Sequence, residues 1–199
     1  VYMAEVLGHP QFGYYMTREP FGREGDFVTA PEVSQMFGEL IGIWCADAWQ
    51  RMGAPEHYHL IELGPGKGTL MADLIRALRT IPGAVEGAEI HLIETSPRLA
   101  DQQRETLTQS GIDNAVWHER LSAVPEGPTL LVANEFFDAL PVRQFVNTAA
   151  GWCERLVNLT PDADTFEFVV AAQPSQDKDI LSPEILGAPE GSIAETCPV

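Results

Sequence analysis

The stretch Tyr58-His59-Leu60-Ile61-Glu62-Leu63-Gly64-Pro65-Gly66-Lys67-Gly68-Thr69-Leu70 decides the fold. Its first six residues, with Tyr58, Leu60, Ile61 and Leu63 apolar, make a run of strand length that ends on glycine, the pattern of a buried strand. Beyond the glycines, Leu70, Leu74, Ile75 and Leu78 recur at helical spacing, which predicts an amphipathic helix over 68–79, stopped by Ile81-Pro82-Gly83. Between strand and helix, three glycines alternate with larger residues and leave the backbone bare.

The same unit repeats downstream. Ile90–Glu94 reads as a second strand, Ser96 as a helix N-cap with Pro97 in the first helical position, and the helix runs to about Ser110. Val116-Trp117-His118 is a short third strand. Thr129–Asn134 is a fourth, continuous and apolar, as strands covered on both faces are. This alternation argues for a parallel sheet in a doubly wound α/β domain. A leading helix over 34–52, carrying Met36, Phe37, Leu40, Ile41 and Trp44, precedes the first strand. From Pro141 the rhythm changes to three strand-like runs, 142–147, 152–159 and 165–171, an inserted antiparallel meander. Residues 173–192, rich in Pro, Ser, Asp and Gly, read as a loop. The expected divisions are 1–57 (lid and leading helix), 58–140 (ligand-binding core) and 141–199 (meander and loop, facing the substrate).

Composition excludes several classes. At 199 residues the chain suits one domain with a full core. It lacks an apolar run of the ~18 residues that suggest a spanning helix, so membrane insertion is not expected. A net charge of −17, from 12 basic and 29 acidic residues, opposes nucleic-acid binding and favours a cationic ligand or a basic protein segment. Cys45, Cys153 and Cys197 form no CxxC pair, which argues against a disulfide framework or zinc site and for a reducing compartment. His57 and His59 are read as solvated turn residues, and no metal is expected. The chain begins at Val1 and stops at Val199 without a closing element, so a longer parent protein is expected.

Spacing separates the ligands that glycine loops hold. A nucleoside triphosphate loop needs GxxxxGK followed by Ser or Thr, but Gly68 follows Lys67. A dinucleotide loop needs GxGxxG, but Thr69 stands where the last glycine belongs; the match is to GxGxG. Glu62, two residues before the first glycine, would repel a pyrophosphate and suits a ligand carrying an ammonium and a sulfonium, as S-adenosylmethionine does. Glu94, at the tip of the second strand, can accept hydrogen bonds from both ribose hydroxyls. Glu62, Gly64, Pro65, Gly66, Gly68 and Glu94 are therefore the expected cofactor residues, with Glu119 a further candidate near the adenine.

Three blocks, GDFVTAPEVSQMFGELIG (25–42), ELGPGKGTLMADLIRAL (62–78) and ANEFFDALPVRQF (133–145), together resemble the MidA-like family of S-adenosylmethionine-dependent methyltransferases. That family includes the mitochondrial complex I assembly methyltransferase and bacterial relatives. Tyr14-Tyr15 and Gly191-Ser192…Glu195 resemble it too. The resemblance implies a Rossmann-like class I methyltransferase fold with a seven-stranded sheet, whose C-terminal strands are missing here. For the mitochondrial members it implies dimethylation of an arginine in a complex I subunit, and hence a protein substrate. Placement in bacterial cytoplasm is expected, with the mitochondrial matrix as the alternative.

Methyl transfer from a sulfonium is an in-line displacement, and an arginine nucleophile needs carboxylates to hold its guanidinium. Asn134-Glu135-Phe136-Phe137-Asp138 follows the fourth strand, where the donor methyl belongs. Glu135 is the expected substrate-facing carboxylate and Asn134 a positioning residue. Asp138 either faces the same way or caps a helix. Phe136 and Phe137 either wall the pocket or pack in the core. Gly25-Asp26-Phe27-Val28-Thr29 with Glu32 can form a lid whose Thr29 and Glu32 touch the donor, or Thr29 or Ser34 simply caps the leading helix. Two rivals remain: a scaffold or assembly protein that keeps the fold without catalysis, and a nicotinamide-dependent oxidoreductase, disfavoured by Thr69 and Glu62.

Overall fold

The computed structural model describes residues 2–18, 26, 28–176 and 181–197. The chain divides into two compact units, residues 14–138 and residues 1–13 with 139–199. A short first helix, α1 (Tyr2–Gly8), opens the second of these.

The larger unit begins with two single-turn helices, α2 (Tyr14–Thr17) and α3 (Ala30–Val33), and the long helix α4 (Gln35–Arg51). Ser34 caps α4, its Oγ accepting from the Met36 N–H. The expected strand–helix alternation follows as β1 (Tyr58–Leu63), α5 (Thr69–Leu78), β2 (Ala88–Ile93), α6 (Pro97–Gln109), β3 (Val116–His118) and β4 (Thr129–Ala133). All four strands are parallel, in the order β3-β2-β1-β4. The chain walks outward from β1 through β2 to β3, then returns to the other side of β1. That reversal makes β1 and β4 the topological switch point, at whose carboxyl ends such sheets bind ligands.

One face of the sheet carries the main core. Tyr58 and Leu60 of β1 and Ile90 and Leu92 of β2 pack there against Cys45, Ala46 and Trp49 of α4, Leu74, Ile75 and Leu78 of α5, and Leu107 of α6. Helix α4 lies close on α5 because two glycines face it. A Cβ on Gly38 would sit 2.5 Å from Asp73 Cβ, and one on Gly42 would sit 2.6 Å from the Leu74 carbonyl oxygen. On the opposite face a smaller cluster gathers Ile61, Leu63 and Ile93 with Val124, Ala133 and Phe136. Strand β4 differs from expectation: Leu130 is buried, but Thr129 and Leu131 are exposed, because β4 forms the edge of this sheet.

His57 is exposed, but His59 is buried. The reading of both as solvated turn residues is corrected for His59: β1 already starts at Tyr58, which carries His59 into the sheet.

The smaller unit is the expected antiparallel insert, β5 (Arg143–Thr148), β6 (Gly151–Leu159) and β7 (Phe166–Val170). Two elements lie where a loop was expected: a helical turn, α7 (Pro183–Leu186), and a strand, β8 (Ile193–Thr196), which pairs with β5 and makes the order β7-β6-β5-β8. Phe145, Trp152, Leu181 and Ala194 form its core, and Arg143 holds Glu154 across β5 and β6 through two 2.8 Å hydrogen bonds.

Candidate functional site

Parallel pairing aligns the four carboxyl ends. Ala133, Leu63, Ile93 and His118 are partners in one row across β4, β1, β2 and β3. One residue beyond that row stand Asn134, Gly64, Glu94 and Glu119, so four of the candidates line one edge of the sheet. Backbone hydrogen bonds extend the row by a step, Gly64 N–H to the Ile93 carbonyl (3.1 Å) and Glu94 N–H to the His118 carbonyl (2.9 Å).

The loop after β1 turns through three left-handed glycines, Gly64 at φ 60°, Gly66 at 56° and Gly68 at 82°. L-residues with a Cβ are strained in that region, so the alternation is a steric requirement of the loop. Gly68 is also the N-cap of α5. A Cβ on Gly64 would meet Phe136 at 2.6 Å, so the segment after β4 lies directly on the glycine loop. Phe136 thus joins the small core on that face, whereas Phe137 is exposed.

Glu62 points under the start of α5 and is only 3% exposed. Burial pushes its carboxyl up to about 8, against a hydrogen bond from the Met71 N–H that lowers it. Its Oε2 has no hydrogen-bond partner among the described residues. A buried carboxylate oxygen without a partner is costly, and a ligand cation or a bound proton relieves that cost. This orphaned acceptor beside a bare-backbone loop fits an ammonium-bearing cofactor.

Glu94 is held by the Ser96 N–H (2.8 Å) and by Gln103 Nε2 (3.0 Å). Burial raises its carboxyl above the usual range, while those hydrogen bonds and Arg98 pull the other way. Gln103 escaped the sequence reading. It is fully buried, and its Nε2 also donates to the Gly66 carbonyl (2.9 Å), while its Oε1 accepts from Trp117 Nε1 (2.9 Å). One amide therefore ties the glycine loop, the acid after β2 and the strand β3 together. A signal existed: Leu99, Gln103 and Leu107 follow at i, i+4, i+8 on α6, so Gln103 is a polar residue on an apolar stripe.

The remaining candidates are placed unevenly. Glu32 reaches the start of α5, accepting from Thr69 Oγ1 at 2.6 Å. Thr29 stands at the N-cap position of α3 without a side-chain capping bond, while Ser34 does the capping of α4. Gly25 and Phe27 of the expected lid lie outside the described residues. Residues 14–18 reach the carboxyl edge from another side: Arg98 on α6 donates to the Arg18 carbonyl, and the Asp138 charge, after burial, raises the Tyr15 phenol. Asp138 is exposed and sits inside a 3-10 turn (Phe137–Ala139), so it does not share a helical face with Glu135. Glu119 is exposed. Glu135 is exposed with φ 49°, a left-handed backbone uncommon for a residue with a long side chain.

A family of S-adenosyl-L-methionine-dependent methyltransferases matches residues 40–199. The chain is similar to the mitochondrial protein arginine methyltransferase NDUFAF7 homolog of Drosophila melanogaster, with 44% identity over 79% of this chain and 40% of that protein. It is also similar to mitochondrial protein arginine methyltransferase NDUFAF7 of Homo sapiens, with 39% identity over 85% of this chain and 44% of that protein. A solved structure of a COG1565 superfamily member from Burkholderia thailandensis bound to S-adenosyl-homocysteine superposes with a TM-score of 0.75 at 33% identity, over 98% of this chain and 50% of that one. The chain thus spans half the length of these relatives or less. With the glycine loop, the buried Glu62, the half-buried Glu94 and the strand order already in place, the chain belongs to this family of S-adenosyl-L-methionine-dependent methyltransferases.

Proposed function

We propose that the intact protein binds S-adenosylmethionine along the row Asn134–Gly64–Glu94–Glu119 and transfers its methyl group to an arginine of a protein substrate, a respiratory complex I subunit or a similar protein. The observation that carries this reading is the buried Glu62 Oε2, without a hydrogen-bond partner among the described residues, just before three left-handed glycines. The relatives named as protein arginine methyltransferases support the choice of acceptor.

Bound there, the cofactor supplies a methyl carbon made electrophilic by its sulfonium. Glu62 holds the ammonium, Gly64, Pro65 and Gly66 admit the methionyl chain against the backbone, and Glu94, oriented by Gln103, takes the ribose hydroxyls. Thr29 and Glu32 close the site near the start of α5. Glu135 orients the guanidinium, with Asn134 and Asp138 beside it. A backbone strained by about 1–3 kcal/mol at Glu135 is consistent with a side chain held for function. We assign substrate holding to the antiparallel unit, whose edge strand β7 exposes Phe166, Phe168 and Val170. Free cysteines suit a reducing compartment, either the bacterial cytoplasm or the mitochondrial matrix.

Calorimetric titration of the full-length protein with S-adenosylhomocysteine tests the cofactor site. Glu94→Ala should weaken binding and Gly66→Val should abolish it; wild-type affinity in both variants refutes the assignment. Mass spectrometry of methylated arginines in cells with and without the gene tests the acceptor.

A further inference from the structure

Alternation along β1, β2 and β3 puts His59, His91 and His118 on the sheet face away from the main core, in adjacent strands. Their rings form a ladder. His59 Nδ1 lies 3.0 Å from His91 Nε2, and His91 Nδ1 lies 2.9 Å from His118 Nε2. Glu89 reaches the first rung, its Oε2 3.5 Å from His59 Nδ1 and 4.0 Å from His91 Nε2. None of these residues takes part in the methyl-transfer site, and Glu89 and His91 share one strand two residues apart.

We propose that His59 Nδ1, His91 Nε2 and Glu89 Oε2 form a site for a divalent transition-metal ion of the zinc class. The geometry supports it directly. A circle through three atoms at the separations above has a radius of about 2.1 Å, which is the usual Zn–N and Zn–O bond length. Two imidazoles and one carboxylate make a borderline donor set that suits Zn²⁺ or Co²⁺ over Mg²⁺ or Ca²⁺. Both rings are buried, whereas the Glu89 side chain is 55% exposed, so the site has rigid walls and one side open for the ion and a water ligand.

The third histidine completes the logic. A metal-bound imidazole usually donates its other N–H to an acceptor that fixes its orientation. His91 bound through Nε2 must carry its proton on Nδ1, and His118 Nε2 stands there to accept it. His118 is therefore a positioning residue. Both ligating rings bind as neutral imidazoles: His59 frees Nδ1 by carrying its proton on Nε2 instead, so the ion takes the place of the hydrogen bond between the rings with no net proton release from them. Gly64 lies five residues beyond His59, roughly 16 Å along the strand. The ion's part is to pin β1 to β2, not to take part in methyl transfer.

Titration of the chelator-stripped full-length protein with ZnCl₂, read by calorimetry and by thermal melting, tests the site. One tight equivalent that raises Tm is expected, as is a visible Co²⁺ d–d spectrum of low coordination number. Glu89→Gln, at an exposed position that folding tolerates, should weaken Zn²⁺ binding at least tenfold, and His91→Gln should abolish it. His118→Gln should weaken it about tenfold, in the range typical of orienting partners. His57→Gln and Cys197→Ser should bind as wild type does. The proposal is overturned if the wild-type protein takes up no Zn²⁺, or if Glu89→Gln and His118→Gln bind it with unchanged affinity and Co²⁺ spectrum.

Discussion

In the proposed site, Glu62 would couple cofactor binding to pH. Burial disfavours the charge and pushes its carboxyl up to about 8 in the folded protein, against 4.5 when solvated. The folded state therefore holds a proton that the unfolded state has released between those values. This contribution to stability is present below pH 4.5 and lost as pH rises through about 8. In the proposed site cofactor binding would run in the opposite direction, since an ammonium held by Glu62 needs the carboxylate. Affinity for S-adenosylhomocysteine should rise from pH 6 to 8, with proton release visible in buffers of different ionisation enthalpy, and Glu62→Gln should flatten both trends. Gln103→Leu keeps the volume but strands the Gly66 carbonyl and the Trp117 N–H. It should cost about 2–3 kcal/mol in urea melts and weaken cofactor binding, since Glu94 loses its anchor. At Glu135 the expected split is different. Glu135→Gln should bind cofactor normally but transfer methyl groups poorly. Glu135→Gly should do the same with stability within about 1 kcal/mol of wild type, because glycine relaxes the left-handed backbone.

Helices α4 and α5 meet through small residues. Gly42 faces the Leu74 carbonyl and the Ala77 methyl, with no room for a side chain. Gly42→Val should push the helices apart at a cost of about 3 kcal/mol, the upper part of the overpacking range. Glu32 and Thr69 bridge α3 to the start of α5, so the shift should also lower cofactor affinity. A melt unchanged from wild type would refute the close packing. The strands and helices of the core were legible because each carries its own pattern: β1 and β2 are mainly apolar, with Tyr58, Leu60, Ile61 and Leu63 in one and Ala88, Ile90, Leu92 and Ile93 in the other, and Leu70, Leu74, Ile75 and Leu78 repeat along α5. Strand β8 was not. It is four residues long with one buried side chain, Ala194, and it becomes a strand by pairing with β5 nearly fifty residues away.

A net charge of −17 on 199 residues favours basic partners. Association with an arginine-containing, cationic peptide should slow steeply as ionic strength rises, while the off-rate changes little. Stopped-flow measurements on the full-length protein at two salt concentrations check this; salt-independent association would exclude electrostatic steering. Exposed apolar groups on α4, among them Leu40 and Trp44, stand in a chain that spans half the length of its relatives or less.

The order of residues determined the parallel core, the glycine loop and the acids Glu62 and Glu94, because local period and backbone sterics are written along the chain. Which residues meet across strands was decided by folding. The common row of Asn134, Gly64, Glu94 and Glu119 follows from register. The histidine ladder and the three hydrogen bonds of Gln103 join residues far apart in sequence, and no local pattern encodes a contact that pairing alone creates.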